Sequence, residues 1–447
     1  MSNPLWLHAM ALGLTLVACR PHDGFEIEIE QSARISTVFT ARWSVDLDHP
    51  DAAWWELGRD GQVERRVPVD PAGGPAFVTT LLGMKPVSTY SLWAVAEQDG
   101  ELLRSDERQV TTGQVPAELP DLTLERQEGA ETWRGLLVSS VVALHPTAVI
   151  LDEDGEYVWW YTLDGLEGMA RARLAHDGRS MLMLDLNVSD DSPSSLYRVG
   201  LDGMDLERLP SGGFHHDFEL LPDGTIAALV YDPVEIDGVS IPGDQLVELS
   251  PDGSTRVVYD IWADPDIEYQ ASAAYMGSMW PHANAIDYLE DEDAYLVSFL
   301  ALESIVYIDR ASGAVDWRLG GDLSDFSLSG GDTDLFERQH QFQWIDGSML
   351  VFVNGPLQQG VSSVVQYALN MEQGGAWKAW EYEGSRGLSS MVLGDVYRLD
   401  SGNTLVTWGY GGVIEELARD GSAQWSVEAS VGGAFGYTTW LEVLPEQ

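Results

Sequence analysis

Nine histidines are spread over 447 residues, and four of them stand at one point of a repeating pattern. His215 and His216 lie in Phe214-His-His-Asp-Phe218, His282 in Trp280-Pro-His-Ala-Asn-Ala285, and His340 in Arg338-Gln-His-Gln-Phe342. Each comes just before a strand-like run into a turn. A neutral imidazole can act as a nucleophile while a second gives or takes the proton. Three histidines can also bind zinc. Under either scheme Asp217 would fix the tautomer of a histidine. The plainer alternative is that these rings satisfy buried backbone groups and tie neighbouring sheets together. Four at repeat-equivalent positions favour a functional cluster.

The elements that must carry these rings are legible from about residue 130 onward. There the chain repeats a unit of two hairpins, marked by an Asp-Gly turn and a second such turn roughly 20–30 residues later. Leu174-Ala-His-Asp-Gly178 is followed by Leu201-Asp-Gly203, and Leu221-Pro-Asp-Gly224 by Ser250-Pro-Asp-Gly253. Glu290–Asp293 pairs with Asp309–Gly313, Trp344-Ile-Asp-Gly347 with a degenerate turn near Asn370, and Leu399–Asn403 with Arg419-Asp-Gly421. A first, partial unit holds Leu151-Asp-Glu-Asp-Gly155. Six units of about 40–60 residues are the length of four-stranded propeller blades. The first strand of each blade lines the central channel, so three neighbouring blades aim their imidazoles at one small volume, a ligand site by default. The segment from Phe435 to Val443 is expected to pair with the first blade and close the ring.

Residues 25–113 read as a small sandwich, alternating over Ile35–Val45 and Tyr90–Val95. Met84-Lys-Pro-Val-Ser-Thr-Tyr90 resembles the tyrosine corner of fibronectin type III domains. Residues 114–129 are expected to be a linker. The fold class is thus all-β, a six-bladed β-propeller over 130–447 preceded by a fibronectin type III-like sandwich.

Lys and Arg number 24 against 72 Asp and Glu, a formal net charge of −48, which opposes binding to nucleic acid. Leu5–Val17 is apolar but too short to span a bilayer, and reads as the core of a signal peptide. It ends Leu16-Val-Ala-Cys19, which resembles a lipobox; Cys19, the one cysteine, would begin a lipid-anchored mature chain with residues 19–24 as its tether. Arg20 after the cysteine favours the outer membrane, facing the periplasm or the surface. Acidic turns at 152–154, 190–191 and 290–293 lack the spacing of a calcium loop and read as turns.

The C-terminal two-thirds resembles the bacterial arylsulfotransferases. The resemblance rests on His215-His-Asp-Phe-x-Leu-Leu-Pro-Asp-Gly224, His282-Ala-Asn-Ala-Ile-Asp-Tyr288 followed by Leu296-Val-Ser-Phe299, Ile308-Asp-Arg-x-Ser-Gly-x-x-x-Trp-Arg-Leu-Gly-Gly321, Gln339-His-x-Phe-Gln-Trp344 and Gly402-Asn-Thr-Leu-Val406. It implies transfer of a sulfuryl group from an aryl sulfate donor to a phenolic acceptor through a covalent sulfohistidine, with no cofactor. His340 matches the nucleophile, while His282, His215 and His216 match the supporting histidines, with Asn284 adjacent. The family's arginine that grips the sulfuryl oxygens is replaced by Leu300, which cannot donate hydrogen bonds; such a loss costs ~10²–10³ in rate. Arg338 and Arg386 are the candidates to substitute. The competing reading is a non-catalytic envelope propeller that binds a partner.

Overall fold

The computed structural model describes residues 20–21, 24–47, 50–69, 76–142, 145–186, 194–210, 212–270, 279–328, 335–356, 361–384, 387–430 and 433–442. The signal-like segment and Cys19 lie outside the described residues, as does Arg386. The fold is nearly all-β and propeller-like, in the expected class.

Two sheets form the N-terminal part. Phe25–Gln31, Phe39–Val45 and Ala76–Leu81 make one; Ala52–Arg59, Gln62–Val69, Thr89–Gln98, Glu101–Arg104 and Arg108–Thr111 belong to the other. Inward-facing Trp43, Trp55, Phe77 and Leu92 fill the space between them. The Tyr90 hydroxyl accepts the Lys85 amide proton at 2.9 Å, the backbone tie of a tyrosine corner. This part packs on the rest of the chain. Ile35, Val38 and Leu82 join the core around Trp133 and Trp159. Lys85 Nζ reaches Asp152 (3.2 Å), Asp154 (2.6 Å) and Glu156 (2.9 Å), and those carboxylates hold its ammonium charged.

Among the described residues, six antiparallel sheets of four or five strands follow. Asp-Gly turns close their hairpins because the second turn residue needs positive φ, as at Gly178 (63°) and Gly224 (85°). The first strands touch one another in chain order: Leu136–Val141, Met169–Leu174, Phe214–Leu220, Ala283–Leu289, Gln339–Ile345, Asp395–Arg398. The ring is latched twice. Thr439–Leu441 pairs with Leu136–Val141, as expected of the C-terminal segment. Leu122–Arg126 adds to Ala423–Ala429 as a fifth strand. Residues 114–129 are therefore more than a linker. The strand carries no alternating apolar signal, since even paired with its partner some 300 residues away Leu122–Arg126 is largely exposed.

Phe435 bridges to Val141, is fully buried and belongs to the largest core cluster. Phe435→Ala is expected to lower stability by about 3–5 kcal/mol, read from urea unfolding. A loss under about 1 kcal/mol would show that the ring holds without this latch.

Candidate functional site

Four consecutive sheets carry a left-handed, non-glycine residue where the first strand begins or is about to begin: His216 (φ 58°), His282 (61°), Arg338 (55°) and Leu393 (63°). Each such conformation costs about 1–2 kcal/mol. Pairing is also irregular there, with register shifts between Phe214 and Phe218, Ala283 and Ala285, and Gln339 and Phe342. Bulges re-aim side chains and strain of this kind gathers at functional sites.

What they bring together is the histidine cluster. His215 Nδ1 lies 2.9 Å from His216 Nδ1, and the His216 and His282 rings meet edge to face at 4.6 Å. His340 is electrostatically coupled to both His216 and His282. His215, His282 and His340 are buried and His216 is half-buried. His340 Nδ1 lies 3.2 Å from the Gly394 carbonyl, which can only accept, so Nδ1 carries the proton and Nε2 holds the free lone pair. The same logic runs through the pair. His215 Nε2 faces Asp244 Oδ1 at 3.1 Å, favouring a proton on Nε2; Nδ1 then accepts from His216 Nδ1, and His216 Nε2 is left basic. Tyr231 stacks on His215 at 3.9 Å.

Asp217, expected to fix the tautomer of a histidine, turns to other groups. Its carboxylate accepts from the Phe218 amide (2.9 Å), the Ile286 amide (3.3 Å) and Gln341 Nε2 (2.8 Å), and faces Arg171 Nε at 3.3 Å. The carboxylate that meets a histidine is Asp244. No sequence signal marked it, because it starts the third strand of its sheet and reaches His215 only through the fold. Arg171 also faces Asp395 Oδ2 (3.5 Å), which accepts the Thr438 amide (2.8 Å). This charged belt lies one step along the strands from the histidines. Tyr437 links the two levels: its ring is 5.2 Å from His340, Arg171 sits 5.0 Å over it, and its hydroxyl donates to the Asn284 carbonyl.

Asn284 is fully buried, and its Nδ2 donates to the Gln339 carbonyl at 2.9 Å, a cross-sheet tie beside the rings. Arg338 donates from Nη1 to the Gly355 carbonyl (3.0 Å) and from Nη2 to the Met391 carbonyl (2.6 Å). Its charge still reaches His282 and His340. Leu300 is buried, its amide donating 3.0 Å to the His282 carbonyl. Among the described residues no group of three or more His, Cys, Asp or Glu is disposed to hold a metal ion.

Burial dominates the electrostatics. Desolvation pushes His282 down to about 4, against the Asp244 carboxylate and with His215 and Arg338, and His340 down to about 3, with His282 and Arg338 and against the Gly394 carbonyl; His216 falls well below the ordinary histidine value. All three are neutral at physiological pH.

A model of the family described as Arylsulfotransferase (ASST) matches residues 125–431. No curated protein matches the chain. Among solved structures it is similar to a protein of unknown function from Bacteroides caccae, at 14% identity over 68% of this chain and 98% of that one, with a TM-score of 0.46. It is also similar to a dihydro-heme d1 dehydrogenase, NirN, at 13% identity over 74% and 83%, with a TM-score of 0.37.

Between the ordinary histidine pKa and about 4, the unfolded chain takes up protons on His282 and His340 that the folded chain refuses, so these groups make stability fall as pH falls. In imidazole NMR titrations neither ring should protonate between about pH 8 and pH 5. A midpoint near 6.5 for either would contradict the burial described here.

Proposed function

The chain belongs to the arylsulfotransferase family, and we propose that it moves a sulfuryl group from an aryl sulfate to a phenolic acceptor through a covalent sulfohistidine on His340. One observation carries the reading: buried, neutral imidazoles from three neighbouring sheets converge, and the Gly394 carbonyl leaves His340 Nε2 with its lone pair. A neutral nucleophile does not repel an anionic sulfate ester. Nε2 attacks sulfur, the N–S bond forms, and the S–O bond breaks with its electron pair leaving on the phenolate. In the second half the acceptor phenol gives its proton to His282 or to His216 Nε2. Its oxygen then attacks sulfur and the N–S pair returns to His340. The imidazole then holding the acceptor's proton gives it to the phenolate released in the next turnover or to water.

Leu300 leaves the sulfuryl oxygens without a guanidinium at that position. Arg338 is the cation whose field supports anion binding here, since its charge is felt at both His282 and His340. Its own donors are engaged by carbonyls, so it acts through charge more than by direct grip. His215, with Asp244 and Tyr231, would orient His216.

The six sheets are read as six blades, and the N-terminal pair of sheets as a fibronectin type III-like sandwich over residues 25–113, supported by the Lys85–Tyr90 tie. Residues 1–18 are taken as a lipoprotein signal and Cys19 as a lipidated first residue, which would anchor the protein in the outer membrane. Cys19→Ser should then release the protein from the membrane fraction; retention there would refute the anchor.

Purified protein given p-nitrophenyl sulfate and a phenol should release p-nitrophenol with ping-pong kinetics. His340→Ala should lower the rate by at least ~10³. Absence of turnover in the wild type, or an unchanged rate in His340→Ala, would leave the non-catalytic, partner-binding reading.

A further inference from the structure

A cavity opens where the first strands end, beyond the charged belt. It holds about 1310 Å³, and no histidine lines it. Arg171 and Asp395 form its floor, so the belt that supports the histidines on one side closes this funnel on the other. The next ring along the strands is Arg173, Glu219, Asp287 and Gln343. Arg173 and Glu219 are ion-paired. Asp287 is partly exposed to the cavity, and burial, then Glu219, pushes its carboxyl up to about 7. Higher up, Arg398 donates to Gln366 Oε1 and the Gly402 carbonyl (3.1 Å each) and lies 5.0 Å over the Trp380 ring. Tyr397 presents an exposed ring, and Trp344 and Trp380 are half-buried.

We infer that this funnel is a second binding site, for a neutral carbohydrate. Charge rules out an anion: the floor charges are matched within the protein, while Glu290, Asp291 and Glu292 at the rim repel negative ligands. An aryl sulfate therefore does not belong here. The remaining donors and acceptors are planar and two-pronged: a carboxyl, guanidinium groups and amides. Such groups suit adjacent hydroxyls, each of which donates once and accepts twice. Aromatic faces beside them cover the apolar C–H face of a sugar ring. The funnel exceeds the usual size of a small-ligand pocket, which fits an oligosaccharide better than a single small molecule. The inference does not depend on the reaction at His340.

The test is a glycan array of neutral oligosaccharides and their sulfated counterparts, probed with the full chain. The strongest binder is then titrated calorimetrically into wild type, Asp287→Ala and Tyr397→Ala. Neutral glycans should bind, each substitution should weaken binding about tenfold, and excess p-nitrophenyl sulfate should not displace the glycan. Tyr397 is exposed, so its variant reports even if Asp287→Ala does not fold. The inference is overturned if no neutral glycan binds, if only sulfated ones do, if the aryl sulfate competes, or if the folded variants bind like wild type.

Discussion

The site depends on one buried charge arrangement, Arg171 held between Asp217 and Asp395 on the channel axis. Asp217 alone receives groups from four of the first strands: its own, Ile286, Gln341 and Arg171. Asp395 and Thr438 bring in the last sheet and the closing segment. Buried ions are costly unless paired, and removing one partner commonly costs 3–5 kcal/mol. The arrangement therefore fixes how far each first strand advances toward the axis, and so where the histidines one step away must stand.

Above that belt the same burial works in the opposite sense. For His282 the Asp244 carboxylate opposes the loss of the proton, but desolvation outweighs it, and at His340 burial and the neighbouring His282 act together. A chain with net charge −48 would repel an anionic substrate at long range. Within the cluster the local balance differs: the rings are neutral, and the Arg338 charge is felt at both His282 and His340.

The sequence exposed those features that depend on local chemistry. Asp-Gly turns announce hairpins because positive φ is a single-residue requirement, and histidines at one point of three neighbouring repeats announce a shared height on the axis. The misreadings came from contacts made across the fold. Asp217 is expected to fix the tautomer of a histidine, yet beside an irregular register between Phe214 and Phe218 its carboxylate faces Arg171. Asp244, Tyr231 and the Gly394 carbonyl join the cluster from strands with no distinguishing motif. Tyr437 lies in the C-terminal segment expected to close the ring, but nothing in the sequence placed its ring beside His340. The strand Leu122–Arg126 gave none, being half of a sheet edge whose other half lies at the far end of the chain.

The most direct measurement of the central claim is mass spectrometry of the protein incubated with an aryl sulfate and no acceptor, quenched at alkaline pH and digested. The account predicts one added SO₃ group on the peptide holding His340, lost when a phenol is supplied. An adduct on a different residue, or an adduct that a phenol does not remove, would contradict it.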